Sequence, residues 1–237
     1  PEVTWHTVAV QRVEPLKVVF LLDGSGSINS NMWALEKQAT VAMIEAFQKK
    51  YIGVEDKLHL GVAHFSSTCS WRVDLGVHHE ALKASVREMS QDNGGTAFAP
   101  ALAECRGKLA EYSVTGNPVE ICVLVTDGDS NESPKQLKGM LMPSTKLMGI
   151  YVGDNAQDAR KLREITSCDG GECPFYASAH DFGQLVANSK GIVSSVTEEL
   201  RRESRTRHFV YECGRGPWWT LWASLGVVPA ALWWVNL

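Results

Sequence analysis

The densest chemistry in the sequence lies in Asp23-Gly24-Ser25-Gly26-Ser27, an acid and two hydroxyls at alternate positions on a glycine-flexed turn. Two other short runs offer the same kinds of atom: Asn93-Gly94-Gly95-Thr96 and Asp127-Gly128-Asp129-Ser130-Asn131. All these donors are hard oxygens, with no His or Cys among them. Such a set selects Mg²⁺, or Mn²⁺ or Ca²⁺, over zinc or copper. Few carboxylates and several hydroxyls leave a divalent ion under-neutralised. Mg²⁺ keeps water in an octahedral shell, so one position can pass to an acidic group from outside without dismantling the site. The chemistry on offer is docking through a metal.

Catalytic patterns fit less well. Gly24-Ser25-Gly26 lacks the spacing of the G-x-S-x-G nucleophile elbow, and no His and acid complete a visible triad. Asp127-x-Asp129-x-Asn131 opens like an EF-hand loop, but its sixth place is Glu132 and its twelfth Lys138, where that loop needs Gly and Glu. An aspartyl phosphatase could use Asp-x-Asp after a strand, yet the other two runs would then be unexplained. No enzyme is expected. His59, His64, His78 and His79 read as strand or surface residues.

The elements around these runs must bring them together. Lys17–Leu22 is an apolar run ended by Asp-Gly, which suits a strand buried on both faces of a parallel sheet. Leu58–Phe65, Glu120–Thr126 and Lys146–Val152 read the same way, with Trp71–Leu75 as a shorter edge strand. Helical periods lie between them: Met32–Lys49, with Leu35, Ala39, Ala42, Met43 and Phe47 on one face, then Ala81–Met89, Ala99–Tyr112, Pro134–Met142 and Ala156–Ile165. Ser30 or Asn31 can cap the first, and Pro134 fits a first helical turn. Asp181–Glu203 closes the series. This alternation predicts an α/β fold: a doubly wound, mostly parallel sheet flanked by helices, with its binding crevice at the carboxyl ends of the strands. The Asp23 and Asp127 runs both follow strands, and the Thr96 run precedes a helix.

The composition is that of a folded protein: 237 residues, 23 Lys+Arg against 27 Asp+Glu, and 44% hydrophobic. A formal net charge of -4 argues against a nucleic-acid partner, which requires a basic surface. Five of the eight Trp (Trp218, Trp219, Trp222, Trp233, Trp234) fall within Pro217–Leu237, a stretch with no charged residue. About 20 helical residues span the ~30 Å hydrocarbon core, and Trp pairs near both ends suit the headgroup level. A C-terminal transmembrane helix is the expectation, with a terminal hairpin or partner-packed helix as the alternative that Pro229 favours. The expected organisation is a lead-in over 1–15, the domain over 16–203, a juxtamembrane linker over 204–216 and the membrane helix over 217–237.

In its three oxygen-bearing runs the chain resembles the von Willebrand factor A, or integrin I-like, domain. Asp23-x-Ser25-x-Ser27 is similar to that family's first metal motif, Thr96 in GGT to the second, and Asp127 in VLVTDG to the third. The resemblance implies a metal-ion-dependent adhesion site. Ser25, Ser27 and Thr96 would ligate the ion, and Asp23 and Asp127 would act partly through water. Gly24, Gly95 and Asp129 would form the rim, and an Asp or Glu of a protein partner would complete the shell. A relict site, in which these residues only cap helices and turns, is the competing reading.

The loop Cys168-Asp-Gly-Gly-Glu-Cys173 is similar to the Cys-bounded loop of thrombospondin-related and micronemal adhesins of alveolates. On that resemblance Cys168 and Cys173 are expected to form a disulfide. Cys105 and Cys122 read as free thiols packed as small hydrophobes, while Cys69 and Cys213 are unassigned. A bridged loop implies an extracellular or luminal domain. The arginines before the apolar tail point the other way, since positive-inside would put the domain in the cytosol. Glutamates interleaved with those arginines weaken that signal. The expected protein is a membrane-anchored adhesion module or, alternatively, a scaffold subunit of a larger membrane or surface assembly.

Overall fold

The computed structural model describes residues 13–128, 130–168 and 173–215, without the side chains of 205–215. The elements run β1 (Leu16–Asp23), α1 (Ser30–Lys50), β2 (Leu58–Phe65), β3 (Cys69–Gly76), α2 (His79–Glu88), α3 (Phe98–Glu111), β4 (Val119–Thr126), α4 (Pro134–Lys138), β5 (Thr145–Val152), α5 (Ala156–Ile165), β6 (Tyr176–Ala179) and α6 (Phe182–Arg215). The strands form one sheet in the order β3-β2-β1-β4-β5-β6. Neighbours are parallel except β2 and β3, which pair antiparallel.

Central β1 is buried at every position, because helices cover both faces of the sheet. Its side chains alternate between two apolar layers. Val19 and Leu21 join Cys122 and Leu124 of β4 against Phe98, Leu102 and Cys105 of α3. Phe20 points the other way, and its ring meets Phe47 of α1 edge-on at 6.2 Å. The strand order reverses at β1: the chain builds outward through β2 and β3, then returns to the other side of β1 as β4. A binding crevice at such a switch point lies beyond the carboxyl ends of the two strands. Asp23 ends β1, and Asp127 follows β4 directly.

Some local expectations are corrected. Asn29, rather than Ser30 or Asn31, caps α1, its Oδ1 accepting from the N–H groups of Asn31 and Met32 at 3.0 Å each. The buried face of α1 is turned from the expected one. Leu35 and Ala42 are only half-buried, while Trp33, Glu36, Thr40 and Ile44 are buried. α4 stops at Lys138 instead of Met142, with Gly139 as its C-cap and Pro143 ahead of β5. α6 runs to Arg215, through most of the expected linker; from Ile192 to Cys213 it meets neither Gly nor Pro, and Glu and Arg favour helix. Cys105 and Cys122 are joined in a disulfide rather than free, because α3 lies across β4 and both thiols point into the layer between them.

Two compact units divide the chain, Pro1–Val196 and Thr197–Leu237. The first holds the whole sheet, and within it α6 buries Phe182, Leu185 and Val193. Among the described residues no helix is long and apolar enough to cross a membrane. The stretch Pro217–Leu237, expected as the transmembrane helix, lies outside those residues, as does most of the expected lead-in.

Candidate metal centre

The site is built outward from Asp23, which is fully buried at the end of β1. Its Oδ1 accepts the N–H of Ser25 at 2.9 Å, closing the turn on itself. Its Oδ2 accepts the hydroxyl of Thr126, the last residue of β4, at 2.6 Å. Asp23 is thus held between the two switch-point strands. Its own N–H donates to Glu36 Oε1 of α1 at 2.9 Å.

From Asp23 a chain of hydroxyls crosses to the third loop. The Ser27 hydroxyl donates to Asp127 Oδ1 at 2.7 Å, and the Ser25 and Ser27 hydroxyl oxygens are 3.0 Å apart. Ser27 has one hydroxyl hydrogen, which goes to Asp127, so toward Ser25 it can only accept. The Ser25 hydroxyl also hydrogen-bonds Asp23, so both serines turn their hydrogens toward carboxylates or one another and offer oxygen lone pairs to the cluster.

The Thr96 loop is docked by backbone. Asn93 N–H donates to Gly24 O, and Gly26 N–H to Gly94 O, each at 2.9 Å, so Ser25 and Gly94 pair as a short parallel bridge. The β2–β3 hairpin braces the other side, with Gly95 N–H on Ser67 Oγ at 2.9 Å and Ala97 N–H on Ser66 O at 2.9 Å. A Cβ at Gly94 would come within 2.8 Å of Ser66 Oγ, so this close approach requires glycine. Half-buried Thr96 lies between these anchors and the start of α3.

The structure therefore brings Asp23, Ser25, Ser27 and Asp127 together through side chains, and Thr96 through its loop. Gly24 is fixed by its N–H on Phe65 O at 2.7 Å, and Gly95 lies exposed at the rim. Asp129 lies outside the described residues. In the other loop of interest, Cys168 and Cys173 are joined in a disulfide. Cys69 is half-buried and free, its thiol pushed up to about 12 by burial first and by Glu104 second.

The acids of the site are crowded and buried. Burial raises Asp23 to about 6, outweighing the hydrogen bonds from Thr126 and Ser25. Burial also raises Asp127, and it lifts Glu36 well above the ordinary carboxylate range, with the charge of Asp23 adding to it. Among the described residues, no Lys or Arg is one of the groups that shift these acids. Converging hard oxygens of this kind fit a divalent metal, which would favour the ionised acids.

Four supporting groups went unseen in the sequence. Thr126 clamps Asp23. Glu132 reaches from the third loop to accept the N–H groups of Phe98 and Ala99 at 3.2 and 3.0 Å, capping α3 where Ala97 cannot. Buried His64 accepts from Arg72 Nε at 3.0 Å on Nδ1, so its Nε2–H is free to donate to Asp92 at 2.5 Å, beside the Thr96 loop. Glu36 offered the clearest available signal, an acid three residues from Trp33 and three from Ala39 on what packs as an apolar face.

A model of the von Willebrand factor type A domain matches residues 17–189. The human collagen alpha-6(VI) chain is 25% identical over 191 residues, 78% of this chain and 8% of its own length. Sporozoite surface protein 2 of Plasmodium yoelii yoelii is 23% identical over 221 residues, 87% of this chain and 25% of its own. The chain thus spans a quarter or less of these two relatives. Among solved structures, proximal thread matrix protein 1 from the mussel byssus, in a form with a zinc-occupied MIDAS motif, aligns with a TM-score of 0.65 at 19% identity, over 77% of this chain and 48% of that one. With the family model covering most of its length, the chain belongs to the von Willebrand factor type A domain family.

Proposed function

We propose that this chain is a metal-dependent protein-binding module of adhesion type, in which a divalent cation held by the three loops is completed by an Asp or Glu of a partner protein. The observation that carries the reading is the chain of contacts from Ser25 through Ser27 to Asp127, set beside buried Asp23 at the switch point. Ser25, Ser27 and Thr96 would hold the ion, with Asp23 and Asp127 acting partly through water. Mg²⁺ suits this hard-oxygen set best, with Mn²⁺ or Ca²⁺ as substitutes; the mussel neighbour's site takes zinc. Bound there, the metal supplies an electrophilic centre for a carboxylate. The chain's own groups orient the ligands and keep water from Asp23. No catalytic role is assigned.

The Cys168–Cys173 and Cys105–Cys122 disulfides support an extracellular or luminal domain. A surface protein and a collagen among the relatives point the same way. The uncharged, Trp-flanked stretch Pro217–Leu237 would anchor the chain in a membrane as a single-pass helix. A scaffold subunit of a larger assembly is the second reading, favoured by the fold it shares with a thread matrix protein. Capture of a partner from source membranes in Mg²⁺ and in EDTA, with wild type and Asp23→Ala, separates the two. A partner that requires both metal and Asp23 supports the adhesion module, whereas one retained without either supports the scaffold.

A further inference from the structure

The face that α1 turns to the sheet is apolar at Trp33, Ala39, Met43, Ile44 and Phe47, and it carries one acid, Glu36, with no exposure to solvent. One carboxylate oxygen, Oε1, accepts the Asp23 N–H at 2.9 Å. The other, Oε2, is buried with no hydrogen-bond partner. A carboxylate sealed in this way is strongly unfavourable unless a positive charge or a donor compensates it. The charges that reach it are those of Asp23 and Asp127, both repulsive. A leucine would avoid the charge penalty but would leave the buried Asp23 N–H without its acceptor. A divalent cation held by the three loops would offset this repulsion from beyond Asp23.

We infer that Glu36 is a third acidic member of the metal centre: it fixes the Asp23 backbone through Oε1 and adds its buried carboxylate to the field that holds the divalent cation. The inference rests on the metal-binding reading above and goes beyond its five ligand positions.

The test is Mn²⁺ titration of the full chain by calorimetry, with thermal melts in EDTA, for wild type, Glu36→Gln, Glu36→Leu and Asp23→Ala. Glu36→Gln keeps shape and an acceptor but removes the charge, and Glu36→Leu matches the apolar face. Both should weaken Mn²⁺ binding about tenfold or more; the metal-free melting temperature should hold or rise in Glu36→Gln and fall in Glu36→Leu, which leaves the buried Asp23 N–H without its acceptor. Wild-type Mn²⁺ affinity in both variants would overturn the inference, as would a loss of affinity in Glu36→Gln matched by a fall in its metal-free stability. If wild type takes up no Mn²⁺, or Asp23→Ala binds as well as wild type, the metal reading itself fails, and Glu36 with it.

Discussion

The two ends of the sheet treat buried charge in opposite ways. At the amino end, Lys17 of β1 is almost fully buried, yet its ammonium donates to Glu120 of β4 at 3.1 Å and to Leu109 O at 2.9 Å. Glu120 also accepts from Thr145 of β5 at 2.9 Å. Lys17 and Glu120 are register partners, so the pair is built into the strand ladder. At the carboxyl end, Asp23 on the same strand is buried with Glu36 and Asp127 nearby, and among the described residues the groups that shift these acids include no cationic side chain. An end that pairs its charges internally serves stability. An end that gathers like charges lowers stability and is poised for a charge from outside.

This contrast can be broken by mutation. The largest stability effect should come from Lys17→Met, which strands Glu120 and should cost on the order of 3 kcal/mol in urea unfolding, with metal affinity unchanged. Asp23→Ala should do the reverse, lowering Mn²⁺ affinity by about 100-fold or more, beyond the usual effect of an outer-shell partner, while the metal-free protein unfolds at the same or a higher urea concentration. A metal-free Asp23→Ala that is much less stable than wild type would erase the distinction between the ends.

Smaller effects sharpen the picture. Glu132→Ala removes the cap of α3 and should cost about 1 kcal/mol, with a several-fold loss of Mn²⁺ affinity as Thr96 loosens. Glu132→Gln, which keeps acceptor oxygen, should recover part of both. The pH dependence follows from Asp23, raised from 3.8 to about 6. A carboxyl whose folded value lies above its unfolded one binds its proton more tightly when folded, so its contribution to metal-free stability falls as pH rises from about 4 to about 6. Metal uptake releases that proton, so Mn²⁺ should bind more weakly as pH falls through about 6. Asp23→Asn should remove its share of both slopes, as read from melts and titrations across that range.

The parts readable from sequence share one cause. Ser25, Ser27, Thr96 and Asp127 lie in short runs whose residue types match one chemistry, and their strands and helices alternate with clear apolar periods. What could not be read depends on packing between distant segments. The Cys105–Cys122 bridge requires α3 to lie across β4, and Glu132 caps a helix that begins 34 residues before it. Glu36 sat on a helix face whose rotation is decided by Trp33, Ile44 and Phe47 packing on the sheet, not by the average period of the helix. The Asn29 cap was displaced by one residue because Ser30 already belongs to the helix. The loops that carry chemistry were therefore visible, and the groups that hold them in place were largely hidden.

The most direct test of the account is the thermal unfolding of the full chain at neutral pH in Mg²⁺ and in EDTA, for wild type beside Asp23→Ala. The account predicts that Mg²⁺ raises the melting temperature of wild type and leaves the variant unmoved. Equal melting temperatures for wild type in Mg²⁺ and EDTA, or an equal Mg²⁺ shift in the variant, would contradict it.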